Sequence, residues 1–229
     1  MWGDQSVRLS IFVNGEPFEV GSNLHAALGD LRAKGKKIFL WIDAICINQR
    51  DDSEKNYQVP LMAQIYSKAG SVICWLGEES VDSDLAISSL RKCQKDPSMA
   101  MIMAISELSH PGWNAIQNLI RRPYWTRVWI IQENQLARQR LFLCGNEQIM
   151  GDHMFTALDA LRLFVRARKY MSALPDRSTP TGHSVEEVSD FDYFSLSINE
   201  IMAESRRPGL TSTQLILLLN DLMIKTSNF

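Results

Sequence analysis

The sequence predicts an α/β fold in which a parallel sheet is flanked by helices. Two apolar runs, residues 38–42 and 71–76, are rich in branched and aromatic residues, as is typical of strands that are buried on both faces. Between them, apolar residues recur at helical spacing over residues 53–69, and Gly70 ends the pattern. Because a strand–helix–strand unit is almost always parallel and right-handed, we expect the two runs to be buried strands of one parallel sheet.

Similar local signals predict the other elements. Asn14-Gly15 lies between two short apolar runs and indicates a hairpin of residues 9–13 and 17–20. Residues 23–34 form an amphipathic pattern that ends at Gly35. Helices are also predicted over residues 82–93, 99–108, 113–120, 155–170 and 212–225. We predict a third strand of the sheet over residues 140–144 and a loop over residues 174–189. We therefore divide the chain into a domain of residues 1–150 and a helical C-terminal extension of residues 151–229.

Composition excludes several classes of protein. With 229 residues, 45% of them hydrophobic, the chain can bury a sizeable core and is not a disordered protein. The net charge of −2 gives no electrostatic reason to expect nucleic acid or an anionic membrane as a partner. No apolar run reaches the length of a membrane span and no signal-peptide pattern is present, so we expect a cytoplasmic protein. The four cysteines are scattered without a CxxC pair, so we predict neither a disulfide framework nor a metal site.

The first candidate site follows the first apolar run, which contains Trp41 and is followed by Asp43. In open α/β sheets, ligands bind just beyond the carboxyl ends of the strands, and Cys46, Asn48 and Gln49 lie in that region together with Asp43. Cys46 could be a reactive thiol there. The alternative is structural, since an aspartate after a strand often only hydrogen-bonds the backbone of its loop or caps a turn.

The second candidate site is Glu133, in the stretch of residues 124–137. If this stretch is helical, Trp125, Trp129 and either Gln132 or Glu133 lie close to one face. A carboxylate beside buried aromatic rings is desolvated, which raises its pKa and suits it to acid–base chemistry or to stabilising a cation. The alternative is a salt bridge at the helix surface between Glu133 and a nearby arginine, either Arg127 or Arg138.

These two stretches resemble a known family. The sequence LWIDAICINQRDDSEKNYQVPLMAQIYSKAGSVICWLG, followed further along the chain by YWTRVWIIQE, resembles the heterokaryon-incompatibility (HET) domain of filamentous fungi over roughly residues 2–145. The resemblance implies a cell-death effector of fungal non-self recognition, a process related to innate immunity. HET domains in turn resemble the TIR domain, a flavodoxin-like α/β fold whose enzymatic members cleave nicotinamide from NAD.

The resemblance also implies roles for individual residues. In the enzymatic TIR members a glutamate lies four residues after a tryptophan, and Trp129 and Glu133 have this spacing. Glu133 would then be the catalytic carboxylate that stabilises an oxocarbenium-like ribosyl transition state, with Asp43 beside it. NAD is the implied substrate, and no resident cofactor is implied. The substrate-binding residues would be Trp41, Cys46, Asn48, Gln49, Trp129 and Gln132.

The N-terminus departs from the family pattern. Family members usually begin with a strand and a Ser-Tyr-x-Trp-Gly-like loop, of which only residues 2–4 are recognisable here, so we expect an N-terminally truncated copy. A missing first strand would leave a sheet edge free to pair with another chain. The second hypothesis is therefore a non-catalytic signalling module that acts by homotypic assembly, with homotypic or receptor-type protein partners. A Rossmann-type nucleotide-binding protein is disfavoured because no GxGxxG follows any predicted strand.

Overall fold

The computed structural model describes residues 6–33, 35, 37–106, 109–127 and 129–173. The chain forms two compact units, to which these residues contribute: the first from Met1–Val81 and Arg122–Gln148, the second from Asp82–Arg121 and Ile149–Phe229. The predicted domain boundary at residue 150 stays a prediction. The predicted loop over residues 174–189 and the helix over residues 212–225 lie outside the described residues.

The first unit opens with the predicted hairpin. Strand β1 (Arg8–Val13) pairs antiparallel with β2 (Glu16–Gly21), and the turn residues Asn14 and Gly15 have φ of 55° and 87°. An Asn-Gly pair tolerates these positive φ values, which is why a hairpin forms here. Helix α1 (Ser22–Ala33) follows where the periodicity predicts it.

The larger sheet has three strands, the number predicted, but only two of them are predicted strands. Strand β3 (Val72–Trp75) pairs in parallel with β4 (Arg140–Cys144), so two of the three predicted strands and their orientation are confirmed. A third strand, β5 (Glu147–Met150), was missed and lies beside β4 after the turn at Gly145-Asn146. A two-residue connection permits only antiparallel pairing, so the sheet is mixed. An α/β fold is therefore confirmed, whereas a flavodoxin-like (TIR-like) arrangement stays a prediction.

The prediction of a buried strand at residues 38–42 is wrong. These residues form no strand, and the side chains of Ile38, Phe39 and Leu40 are 48%, 107% and 38% exposed. The segment runs instead along the wall of a cavity and enters a one-turn helix, α2 (Asp43–Cys46). An apolar run shows only that side chains favour apolar surroundings. Whether it becomes a strand depends on a backbone partner, and the described partner of β3 is β4.

Two further α-helices and a 3₁₀ turn complete the described part of the first unit. The N-cap of helix α3 (Asp52–Lys68) is Asp51, whose side chain accepts hydrogen bonds from the amides of Ser53 and Glu54. Helix α7 (Ile130–Leu136) is short and follows a separate 3₁₀ turn, Pro123–Thr126.

Residues 124–137 are therefore not one helix. The helical path breaks at Arg127, which has extended φ and ψ of −83° and 133°. Trp125 lies in the 3₁₀ turn, and its ring stacks on that of Phe142 in β4 at 5.5 Å, so it does not share a helix face with Glu133. Packing on the sheet outweighs local helical preference here.

The second unit is helical. Its helices are α4 (Ser83–Lys95), α5 (Pro97–Ser106), α6 (Pro111–Ile120) and α8 (Gly151–Ala173), which match the predicted positions with shifted ends. Helix α4 packs on α6 and α8, and α5 packs on α8. The core side chains are almost fully buried, among them Ile87, Leu90, Met103, Trp113, Ile116, Leu161 and Val165. Within the described part of the chain, none of the helices is both long and apolar enough to cross a membrane.

Candidate functional site

The first unit contains a cavity of about 960 Å³, whose wall includes residues 38–43 and side chains of α1, α3 and β3. This volume is typical of small-molecule sites, which occupy about 300–1,000 Å³. Five aromatic residues contribute to a mainly apolar lining: Phe39, Trp41, Tyr66, Trp75 and Tyr124. Two acidic residues, Asp43 and Glu133, and two basic residues, Lys68 and Arg127, also line it. The cavity therefore combines apolar ring surfaces with a small set of charged groups.

Glu133 lies in the first turn of α7 and is only 7% exposed. Its Oε2 accepts a hydrogen bond from the Tyr124 hydroxyl at 3.1 Å, and its Oε1 accepts one from Arg127 Nη2 at 3.4 Å. Burial raises the pKa of Glu133, Arg127 and the Tyr124 hydrogen bond oppose this rise, and the charge of Asp43 adds to it. The direction of the pKa agrees with the sequence prediction. The expected partner Arg127 is also present, but the ion pair is largely buried, with 15% of the Arg127 side chain and 9% of the Glu133 side chain exposed, rather than at a helix surface.

Tyr124 connects Glu133 to a second buried polar residue. Its ring is 4% exposed, and its oxygen accepts a hydrogen bond from Asn134 Nδ2 at 3.1 Å. Asn134 Nδ2 also donates to the carbonyl of Ile130 at 2.7 Å. Burial raises the pKa of Tyr124 well above its ordinary value, so the hydroxyl keeps its proton and acts as the donor to Glu133. The pKa of the neighbouring Cys74 thiol is raised to about 12, also by burial first, so it stays neutral.

Asp43 has a structural role and also faces the cavity. As the first residue of α2, its Oδ1 accepts a hydrogen bond from the Ala44 amide at 2.8 Å. Its backbone carbonyl accepts from Gln49 Nε2 at 2.8 Å and from the Ile47 amide at 3.1 Å. These hydrogen bonds support the structural alternative for Asp43. The same residue also lines the cavity together with Glu133.

The structure brings only some of the predicted substrate-binding residues to the cavity. Trp41 lines it and packs edge-on against Tyr66 at 6.4 Å. Among the described residues, the cavity wall includes no side chain of the loop residues Cys46, Asn48 and Gln49, all of which are exposed, nor the half-buried Trp129 and Gln132. Asn48 instead orders its loop by accepting from the Arg50 amide at 3.1 Å. Substrate binding by these five residues stays a prediction.

Comparison with known proteins identifies the chain's family. The family model described as heterokaryon incompatibility protein (HET) matches residues 1–133, more than half of the chain. The chain belongs to the HET family. It is also similar to heterokaryon incompatibility protein 6, OR allele, of Neurospora crassa, with 28% identity over an alignment of 228 positions. The match covers 79% of this chain and 33% of that protein. The chain thus spans about a third of the length of this relative. No solved structure matches the chain.

The HET match includes the charged wall of the cavity. Asp43, Tyr124, Arg127 and Glu133 all lie within it, and Glu133 is its last residue. Sequence reasoning missed Tyr66 and Tyr124 as cavity residues. Tyr66 could have been found from the helical periodicity of α3, and Tyr124 is the first residue of the YWTRVWIIQE stretch. No metal centre is apparent, since the described residues contain no cluster of three or more His, Cys, Asp or Glu side chains suited to an ion.

Proposed function

We propose that this HET-family chain acts in fungal heterokaryon incompatibility as a cell-death effector. We further propose that its cavity cleaves NAD to nicotinamide and ADP-ribose, with Glu133 as the catalytic carboxylate. One observation carries the enzymatic part of the proposal: Glu133 is a buried carboxylate on the wall of an aromatic-lined cavity of about 960 Å³.

The chemistry requires negative charge near the sugar. When the bond between the ribose carbon and the pyridinium nitrogen breaks, the electron pair leaves with nicotinamide, which becomes neutral, and positive charge develops on the ribosyl carbon. A carboxylate held beside that carbon stabilises the charge, most effectively where water is excluded. Water then attacks the carbon and loses a proton to give ADP-ribose. Glu133 meets the requirement for a desolvated carboxylate, and Asp43 contributes negative charge to the same cavity.

The aromatic lining fits the leaving group. Nicotinamide is a flat ring that carries a positive charge while it is bound in NAD, and aromatic faces attract cations of this kind. Trp41 and Tyr66 lie edge-on to each other in the cavity wall. We therefore assign the nicotinamide end of the substrate to this part of the cavity.

The test is direct release of nicotinamide. The purified protein is incubated with NAD at high protein concentration, and nicotinamide is measured by chromatography. Replacing a preorganised electrostatic group typically costs about 10²–10³-fold in rate, so Glu133→Gln should reduce nicotinamide release by about 10²-fold or more. The matched control is Glu16→Gln, at an exposed glutamate of β2, which should leave the rate unchanged. Equal nicotinamide release from the parent and from Glu133→Gln would remove Glu133 from the mechanism.

Homotypic assembly is the second candidate function, and one observation favours it. The described part of the first unit exposes large apolar side chains, with Phe39 at 107% and Phe12 at 78%. Both are aromatic, and aromatic residues are enriched at protein–protein interfaces relative to the rest of the surface. Sedimentation velocity over a range of concentrations tests this. An assembly that forms in the parent and dissociates in Phe39→Glu, without any NAD cleavage, would favour the signalling module over the enzyme.

A further inference from the structure

The hydrogen bonds around Glu133 have a fixed direction. The side-chain nitrogen of Asn134 can only donate, and its two hydrogens serve the Ile130 carbonyl at 2.7 Å and the Tyr124 oxygen at 3.1 Å. A carbonyl can only accept, so the nitrogen and not the oxygen of the Asn134 amide must lie on this side. Tyr124 accepts from Asn134 and donates its own proton to Glu133 Oε2 at 3.1 Å, with the buried Cys74 thiol as a second side-chain hydrogen-bond neighbour of its hydroxyl.

This arrangement distinguishes the two oxygens of Glu133. Oε2 accepts a hydrogen bond from Tyr124 at 3.1 Å, and Oε1 accepts the longer one from Arg127 Nη2 at 3.4 Å. We propose that Tyr124, held by Asn134, is a positioning residue that orients the Glu133 carboxylate so that Oε1 is the oxygen presented to the reacting ribosyl carbon. The catalytic part of this inference rests on the proposed NAD cleavage. The positioning part rests on the hydrogen bonds alone.

Packing explains why Tyr124 can hold a carboxylate in place. Its ring meets the rings of Trp125 and Phe142 edge-on, at 5.1 Å and 6.1 Å, and those two rings stack on each other at 5.5 Å. Tyr124 and Asn134 are 4% and 3% exposed, so water cannot readily replace the hydroxyl. A rigid donor in a dry site fixes its acceptor more strictly than a solvated donor does.

A purely structural tyrosine and a positioning tyrosine predict different results for Tyr124→Phe. The substitution keeps the ring and its packing but removes the donor to Glu133. Because that bond favours the ionised carboxylate, its loss should raise the pKa of Glu133 by about one pH unit. If Tyr124 only filled space, the titration of Glu133 would not change.

The first experiment does not depend on enzymatic activity. The protein is labelled with ¹³C at glutamate side chains, the Glu133 signal is assigned by its absence in Glu133→Gln, and its titration is followed by NMR. The midpoint should rise in Tyr124→Phe and also, by a smaller amount, in Asn134→Leu. The double variant should add little to Tyr124→Phe, because both changes act through the same bond. Tyr57→Phe, at an exposed tyrosine of α3, is the matched control and should leave the midpoint unchanged.

The second experiment measures kcat/KM for NAD against pH in the same variants. Ionised Glu133 is the active form, so the acid limb of the profile should move to higher pH in Tyr124→Phe by the same amount as the NMR midpoint. An unchanged NMR midpoint in folded Tyr124→Phe would overturn the positioning role. A shifted midpoint with an unshifted acid limb would overturn the catalytic part. A parent protein that releases no nicotinamide would refute the proposed function and with it the catalytic part, while the NMR result still decides the positioning part.

Discussion

Arg127→Gln should destabilise the protein to a degree that depends strongly on pH. Arg127 lowers the pKa of Glu133, whereas burial raises it. Without the guanidinium, Glu133 must either stay charged in a dry site or bind a proton. Removing one partner of a buried ion pair typically costs about 3–5 kcal/mol. Where protonation costs less than this, Glu133 in the variant binds a proton instead of staying charged.

The free energy of protonating Glu133 is the upper limit on the destabilisation caused by Arg127→Gln. From an ordinary pKa of 4.5, protonating Glu133 costs about 3.4 kcal/mol at pH 7 and about 0.7 kcal/mol at pH 5, because each pH unit corresponds to about 1.36 kcal/mol. The pKa of Glu133 is higher in the folded state than its ordinary value of 4.5. The stability that the protonated carboxyl contributes is therefore fully present below about pH 4.5 and is lost as pH rises through the folded-state pKa. The variant has the higher folded-state pKa, so its stability deficit relative to the parent grows with pH over this window.

Urea denaturation of both proteins at pH 5, 6 and 7, followed by tryptophan fluorescence, checks this prediction. In the Glu133→Gln background, Arg127→Gln should show almost no pH-dependent cost, and Arg127→Lys should retain part of the parent's stability because it keeps the charge. A cost for Arg127→Gln of the same size at pH 5 and pH 7 would show that Glu133 is not the group that responds, and would refute the reasoning.

Three further predictions concern a strained turn, an arginine that holds a loop, and the accessibility of the thiols. Gly145→Ala should destabilise it by about 1–3 kcal/mol in denaturation, because Gly145 has φ of 53° and a Cβ there would meet backbone atoms of Glu79 at 2.9 and 3.0 Å. Gly29→Ala, in α1 with nothing within 4 Å of the added Cβ, should be neutral or stabilising by up to about 1 kcal/mol, and equal effects at the two glycines would contradict the argument. Arg122→Met should cost about 1–3 kcal/mol of stability and speed amide hydrogen exchange in the loop after β3. The reason is that the Arg122 guanidinium donates to two carbonyls and a serine hydroxyl of residues 76–80 at 2.7–3.2 Å. Unchanged exchange in the variant would refute this. Of the four cysteines, only the exposed Cys46 should react with a maleimide in the folded protein, and the three buried ones should react after denaturation. A second fast-reacting thiol in the folded protein, detected by mass spectrometry, would contradict the fold.

The sequence by itself determined the local elements and the family. The Asn14-Gly15 turn, the positions of most helices and the individual strands β3 and β4 follow from residue preferences and periodicity that act over a few positions. The long stretches around Asp43 and Glu133 were sufficient to indicate the HET family, which the family-model match then confirmed.

Only the tertiary structure decided which segments meet. Residues 38–42 have the composition of a strand but line a cavity, because a strand also needs a backbone partner that composition does not supply. Glu133 was found from its spacing to Trp129, yet its hydrogen-bond partner is Tyr124, on the far side of the break at Arg127. Helical spacing describes neighbours only while the helix continues. Beyond the break, the packing of the 3₁₀ turn on Phe142 of β4 sets the position of the Tyr124 hydroxyl, and such contacts depend on the three-dimensional arrangement of segments rather than on their order in the chain.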